Sequence, residues 1–206
     1  MPVDLPALLD PARAALLLME CQEGVIGEGA RLGALADAVR RHGTVDAIAR
    51  VLRAARRAGV PVFHCLMARR PDGGGAAVNC RLLAAARKSA APLLPGSPAQ
   101  APVAALAPVD GEWVIERYHG LTPFHGTELD PILRNLGVRT VVATGVSVNV
   151  GILGLVLEAV NAGHQVVLPR EAVTGTPDDY VAAVLEHTLA LLATVTTVEH
   201  IESLWI

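Results

Sequence analysis

Apolar positions along this chain come in two alternating patterns: short continuous runs, and longer stretches with an apolar residue every three or four positions. Ala14–Met19 is an uninterrupted apolar run closed by Glu20, as expected of a strand buried on both faces. Thr44–Ala58 places Val45, Ile48, Val51, Leu52 and Ala55 on one helical stripe, and Gly59 follows as a stop. The same reading predicts strands over 60–66, 113–115, 140–144, 166–168 and 194–198, and helices over 129–136, 150–161 and 177–192. Strands that alternate with helices in this way predict a three-layer α/β/α, doubly wound fold with a six-stranded, mostly parallel sheet, and residues 1–206 as a single domain.

In such sheets a ligand binds at the carboxyl ends of strands, near the point where strand order reverses. The positions to weigh are therefore Glu20 and Gln22, then His64 and Cys65, then Glu116, Arg117, Tyr118 and His119, then the turn from Ser147 to Gly151, and finally Arg170 and Glu171. The most informative stretch is VRTVVATGVSVNVGI at 138–152, a buried strand running through a tight turn into a helix. A helix opening there aims unpaired N–H groups at the ligand, and Ser147 and Asn149 can cap the helix or position the ligand. Residues 69–110 are less regular, with PDGGG and PLLPGSPAQAP around a short apolar helix at 82–87. A lid, an oligomer contact and a plain surface excursion are all open for that region.

Composition narrows the function classes. Hydrophobic residues make up 52 % of 206, too many for a disordered chain, yet no run reaches the roughly 18–20 apolar residues of a membrane span. The opening segment has acidic residues and prolines where an export signal would place positive charge ahead of an apolar stretch, so a cytoplasmic location is expected. Cys21, Cys65 and Cys80 form neither a disulfide framework nor a CxxC pair. With a formal charge of −3 and scattered arginines there is little footprint for nucleic acid, and the cluster from Arg50 to Arg57 reads as a solvated helix face. No GxGxxG or P-loop is present, and no cofactor is expected.

Among the candidates, Glu20 stands out because an acid ending a buried strand is costly unless it is paired or used. Arg117 can take a substrate carboxylate through its fork, or pair with Glu20 or Glu116. His64, His119 and His125 are scattered, without a DxH spacing, and no metal is expected. Tyr118, His119 and Phe124 belong to RYHGLTPFHG, which reads as an ordered loop over the pocket. Tyr118 and Phe124 can be ligand walls or packing.

ALLLMECQEGV and the block FHGTELDPILRNLGVRTVVATGVSVNVGILGLVLEAVNAGHQVVLPREAVTG resemble the isochorismatase-like hydrolase superfamily over residues 14–175. That superfamily includes nicotinamidases, carbamoyl-hydrolysing amidases and isochorismatases. The resemblance implies an aspartate, lysine and cysteine triad, with a cis peptide just ahead of the cysteine turn. Position by position, the aspartate falls on Glu20, the lysine on Glu116 or Arg117, and the cysteine on Gly151, while the only lysine, Lys88, lies in another segment. Glycine cannot form an acyl intermediate. The resemblance is therefore better to isochorismatases that cleave a vinyl ether, some of which also have glycine at that position and rely on acid catalysis by the carboxylate. Protonating the enol ether carbon gives an oxocarbenium ion that water traps. Burial raises a Glu pKa and a nearby Arg117 lowers it, and both outcomes stay open.

The expected function is a hydrolase for a small polar or carboxylated metabolite. Glu20 would do acid/base work, Arg117, Asn149 and the Gly151 amide would orient the substrate, and Gln22, Glu116, Tyr118, His119, Phe124 and Ser147 would line the site. The alternative is an inactive member that binds a small ligand or partner protein. The resemblance also implies a homodimer or higher homo-oligomer.

Overall fold

The computed structural model describes residues 3–28, 30, 33–88 and 92–206. After a one-turn helix α1 (Leu5–Leu8), strand β1 (Ala14–Met19) leads to α2 (Glu23–Ile26), α3 (Gly33–Arg41) and α4 (Thr44–Ala58), then β2 (Val62–Met67) and α5 (Arg81–Arg87). The second half runs through β3 (Trp113–Arg117), α6 (Leu129–Asn135), β4 (Thr140–Val146), α7 (Leu153–Asn161), β5 (Gln165–Pro169) and β6 (Val173–Thr174). It closes with α8 (Asp178–Val184), α9 (Ala190–Leu192), β7 (Thr194–Thr196) and α10 (Val198–Leu204).

The six expected strands pair in the order β3-β2-β1-β4-β5-β7, every pairing parallel. A seventh strand, the two-residue β6, adds to the end of β4. It is too short to show in an apolar pattern. From β1 the chain winds outward through β2 to β3, then returns to β4 on the other side and winds outward again. The reversal falls between β1 and β4, which is where a ligand crevice opens in such sheets.

Alternation along β1 divides the interior. Leu16 and Leu18 join Leu35, Ile48, Leu52, Ile201 and Trp205 under α3, α4 and α10. Leu17 and Met19 join Phe63, Ile115, Leu129, Leu155 and Val184 under α6, α7 and α8. These two apolar layers on the faces of one sheet make the α/β/α sandwich.

The expected stop of α4 is present: Gly59 adopts φ +69° and its N–H caps the carbonyls of Ala55 and Arg56. Arg50, on that helix's solvent face, pairs with Glu202. Two features depart from expectation. Helix α10 starts where strand was expected to continue, because the Thr197 side chain accepts the His200 N–H and caps a new helix. Helix α7 does not begin at residue 150: Val148–Ile152 form one wider π-helical turn, and α-helix starts at Leu153.

Among the described residues no helix is long and apolar enough to cross a membrane.

Candidate active site

Glu20 leaves the end of β1 with φ +52°, the only non-glycine residue with positive φ among the described residues. An L-residue there costs on the order of 1–3 kcal/mol. The left-handed turn breaks strand alternation and sends the carboxylate over the carboxyl edge, where Glu20 Oε1 accepts from Arg117 Nη2. Beside it, β1 and β4 approach so closely that a Cβ on Gly145, at φ +107°, would lie 2.2 Å from the Met19 carbonyl oxygen, so only glycine fits.

Arg117 ends β3, two strands away, and shares its face with Ile115. Its side chain is 4 % exposed against 20 % for Glu20. Nη1 donates to the Gly120 carbonyl at 2.8 Å, which fixes the fork from the far side. Of the two partners left open for Arg117, the structure selects Glu20. No hydrogen bond among the described residues reaches Glu20 Oε2.

Glu116 points to the other face, as strand alternation requires. It accepts from Gln100 Nε2 at 2.6 Å and from the Tyr118 hydroxyl at 2.7 Å. Gln22, expected at the substrate, is fully buried and works as a backbone clamp instead. Its Nε2 donates to the carbonyls of Met67 and Gln100 at 2.9 and 3.0 Å, and its Oε1 accepts the Met67 N–H at 2.8 Å, so both donors are used in joining the end of β2 to the segment at Gln100. Of the two roles left open for Phe124, the structure shows packing: it lies in the apolar layer beneath α6 and α7, 6.1 Å from the His164 ring.

The peptide Val146–Ser147 is cis, where the resemblance implied one. Ser147 makes no side-chain cap bond. Asn149 Oδ1 is buried without a hydrogen-bond partner among the described residues. Gly151 is buried in the π turn, and a Cβ built on it would meet the Val146 carbonyl oxygen at 2.8 Å and the Met19 methyl at 3.2 Å. The backbone of this turn is therefore shaped around a residue without a side chain.

Burial pushes both nearby thiols up, Cys21 strongly and Cys65 to about 12. Cys21 sits in the layer under α4, on the other side of the sheet from Cys65. His64 is buried among the residues under α4 and shares Glu112 with Arg56, at 2.9 and 2.7 Å. The rings of His119 and His125 are 6.2 Å apart. Among the described residues no group of three or more His, Cys, Asp or Glu side chains could hold a metal ion.

Arg117, Tyr118 and His119 also border a small cleft of about 20 Å³, whose walls include Met67, Arg69 and Leu83 but not Glu20, Ser147, Asn149 or Gly151. Arg69 and Leu83 are missing from the sequence-based candidates. Arg69 was within reach of the carboxyl-end rule, but β2 runs one residue past its expected end. Leu83 had no signal, since an apolar residue in an irregular segment has no distinctive pattern.

A doubly wound parallel sheet, with a carboxylate–guanidinium pair and a turn after a cis peptide at its reversal point, defines an isochorismatase-like scaffold. The chain belongs to the isochorismatase family, whose domain model, described as "Isochorismatase domain", matches residues 14–200. A curated relative, ureidoacrylate amidohydrolase RutB of Methylobacterium radiotolerans, is 35 % identical in an alignment of 159 residues that covers 70 % of this chain and 60 % of the relative. The chain thus spans about 60 % of that relative's length. An isochorismatase family protein from Desulfovibrio vulgaris superposes with a TM-score of 0.81 at 26 % identity, over 92 % of this chain and 96 % of the other. N-carbamoylsarcosine amidase from Thermoplasma acidophilum shares the fold, with a TM-score of 0.72 at 24 % identity over 91 % of this chain and 97 % of the other.

Proposed function

We propose that this chain is a single-domain hydrolase that acts on a small polar or carboxylated metabolite through acid/base work by Glu20, without a cysteine nucleophile. The observation that carries the reading is the Glu20–Arg117 pair, set at the reversal point with Oε2 unbonded and one-fifth of the side chain open to solvent. Arg117 holds the carboxylate in place, and Oε2 exchanges the proton with water or substrate. Gly151 provides no nucleophile, and the thiols of Cys21 and Cys65 are held protonated by burial.

Two bond types suit this machinery. In a vinyl ether, Glu20 gives its proton to carbon, water adds to the oxocarbenium ion and returns a proton to Glu20, and the hemiketal so formed breaks its ether C–O bond to release an alcohol and a carbonyl compound. In a ureido acid of the kind the name ureidoacrylate amidohydrolase describes, Glu20 takes a proton from the attacking water and passes it to the departing nitrogen. In this reading the Gly151 amide and Asn149, whose buried Oδ1 has no hydrogen-bond partner among the described residues, orient the polar group.

A second reading, a chain that binds without turnover, is favoured by Gly151, which leaves the turn after the cis peptide without a nucleophile.

A panel of ureido acids and vinyl ether carboxylates separates the readings. The first expects turnover of at least one compound, undiminished after iodoacetamide treatment of the folded protein. Loss of that turnover on alkylation would restore a thiol to the mechanism, and absence of any turnover favours the binding reading.

A further inference from the structure

At the opposite end of the sheet, the amino ends of β1, β4 and β5 border an open depression of about 480 Å³, lined by Ala7, Arg13, Arg139, Thr140, Gly163 and Gln165. Its size falls in the range of small-molecule sites. Ala14 pairs with Thr140 across β1 and β4, so Arg13 and Arg139 stand side by side one position earlier. The N–H groups of Arg139 and Thr140 both donate to the Arg13 carbonyl, at 2.7 and 3.0 Å.

Adjacent strands are separated by about 4.8 Å, so two guanidinium side chains start from neighbouring points and line one hollow. Like charges directly opposite each other on a sheet are destabilising unless something neutralises them. Among the described residues neither arginine has a carboxylate within ion-pair distance. Asp4 and Asp10, the acids nearby in sequence, accept the N–H groups of Ala7 and Ala12.

We propose that this depression binds a phosphate group, free or carried by a small ester. Two forks side by side match a tetrahedral dianion, which offers enough oxygens for both, whereas one carboxylate would leave a positive charge uncompensated. The exposed Gln165 carboxamide and the glycine at 163, which has no side chain, leave polar, unobstructed space for the rest of an ester. The site is separate from Glu20 and does not depend on the catalytic reading.

Calorimetric titration at constant ionic strength tests this, with inorganic phosphate and glycerol 3-phosphate as probes and with the native chain, the R13Q/R139Q double variant and R53Q, an exposed control. The site predicts saturable binding by the native chain and by R53Q, weakened at least about tenfold in the double variant. Tighter binding of glycerol 3-phosphate identifies an ester as the ligand, and equal binding identifies the free ion. No saturable binding of either probe, or binding that survives in the double variant, overturns the proposal; the second result would place the anion elsewhere, at Arg117 for example.

Discussion

Replacing Glu20 and Arg117 by glutamine, singly and together, measures how strongly the two side chains are coupled. Arg117 is 4 % exposed and Glu20 20 %, so the pair lies between a surface ion pair and a fully buried one. Exposed pairs contribute about 0.2–1 kcal/mol, whereas removing one partner of a buried pair costs about 3–5 kcal/mol because the survivor stays desolvated and uncompensated. Each single variant should therefore lose about 2–3 kcal/mol, and the double variant much less than their sum, giving a coupling energy of about 2 kcal/mol. Effects outside the pair cancel in the cycle. The bond from Arg117 to the Gly120 carbonyl is lost in both variants without the arginine, and the left-handed backbone at residue 20 is the same in glutamate and glutamine. Urea denaturation provides the four stabilities, provided the slope with denaturant is unchanged. A coupling below about 0.5 kcal/mol, the level of a surface contact, would refute the reasoning.

Other outcomes follow from the same geometry. Gly151→Ala should destabilise by about 1–2 kcal/mol, although alanine normally stabilises a helix relative to glycine, because its Cβ would press on the Val146 carbonyl oxygen; equal or greater thermal stability would show that the turn relaxes freely. Acid should weaken the chain in two steps. Burial holds His64 below its ordinary 6.5, so stability falls as pH drops through that value. Glu112 is opposed by burial, but hydrogen bonds from Arg56, His64 and the Val109 N–H outweigh it and hold the carboxyl at about 2 against an ordinary 4.5; the stability it contributes is complete above 4.5 and lost towards 2. Thermal midpoints against pH should show this second loss in the native chain and not in Glu112→Gln; parallel curves would contradict it.

Much of the fold was legible because strands buried on both faces read as unbroken apolar runs, and because Gly59 and Gly163 mark where helices stop. Glu20 was legible for a related reason: a carboxylate directly after such a run needs a partner. Its partner was not, since choosing between Glu20 and Glu116 requires knowing that β3 continues to Arg117, which puts 115 and 117 on one face and 116 on the other. Gln22 shows the limit of locating sites by strand ends. The rule finds the position, but the direction of a side chain depends on the backbone groups around it, and the main chain of Met67 captures this one. The sequence leaves Phe124 open between wall and packing, because hydrophobicity alone does not tell which apolar residue of a loop turns inward.

The most direct test of the central claim is turnover by Glu20→Gln, compared with the native chain on whichever substrate the panel identifies. With Arg117 still bonded to Gly120 and the fold confirmed by circular dichroism, the rate should fall by about 10²-fold or more, since glutamine cannot exchange the proton. A folded variant that turns over at the native rate would remove Glu20 from the chemistry, and with it the mechanism proposed for this site.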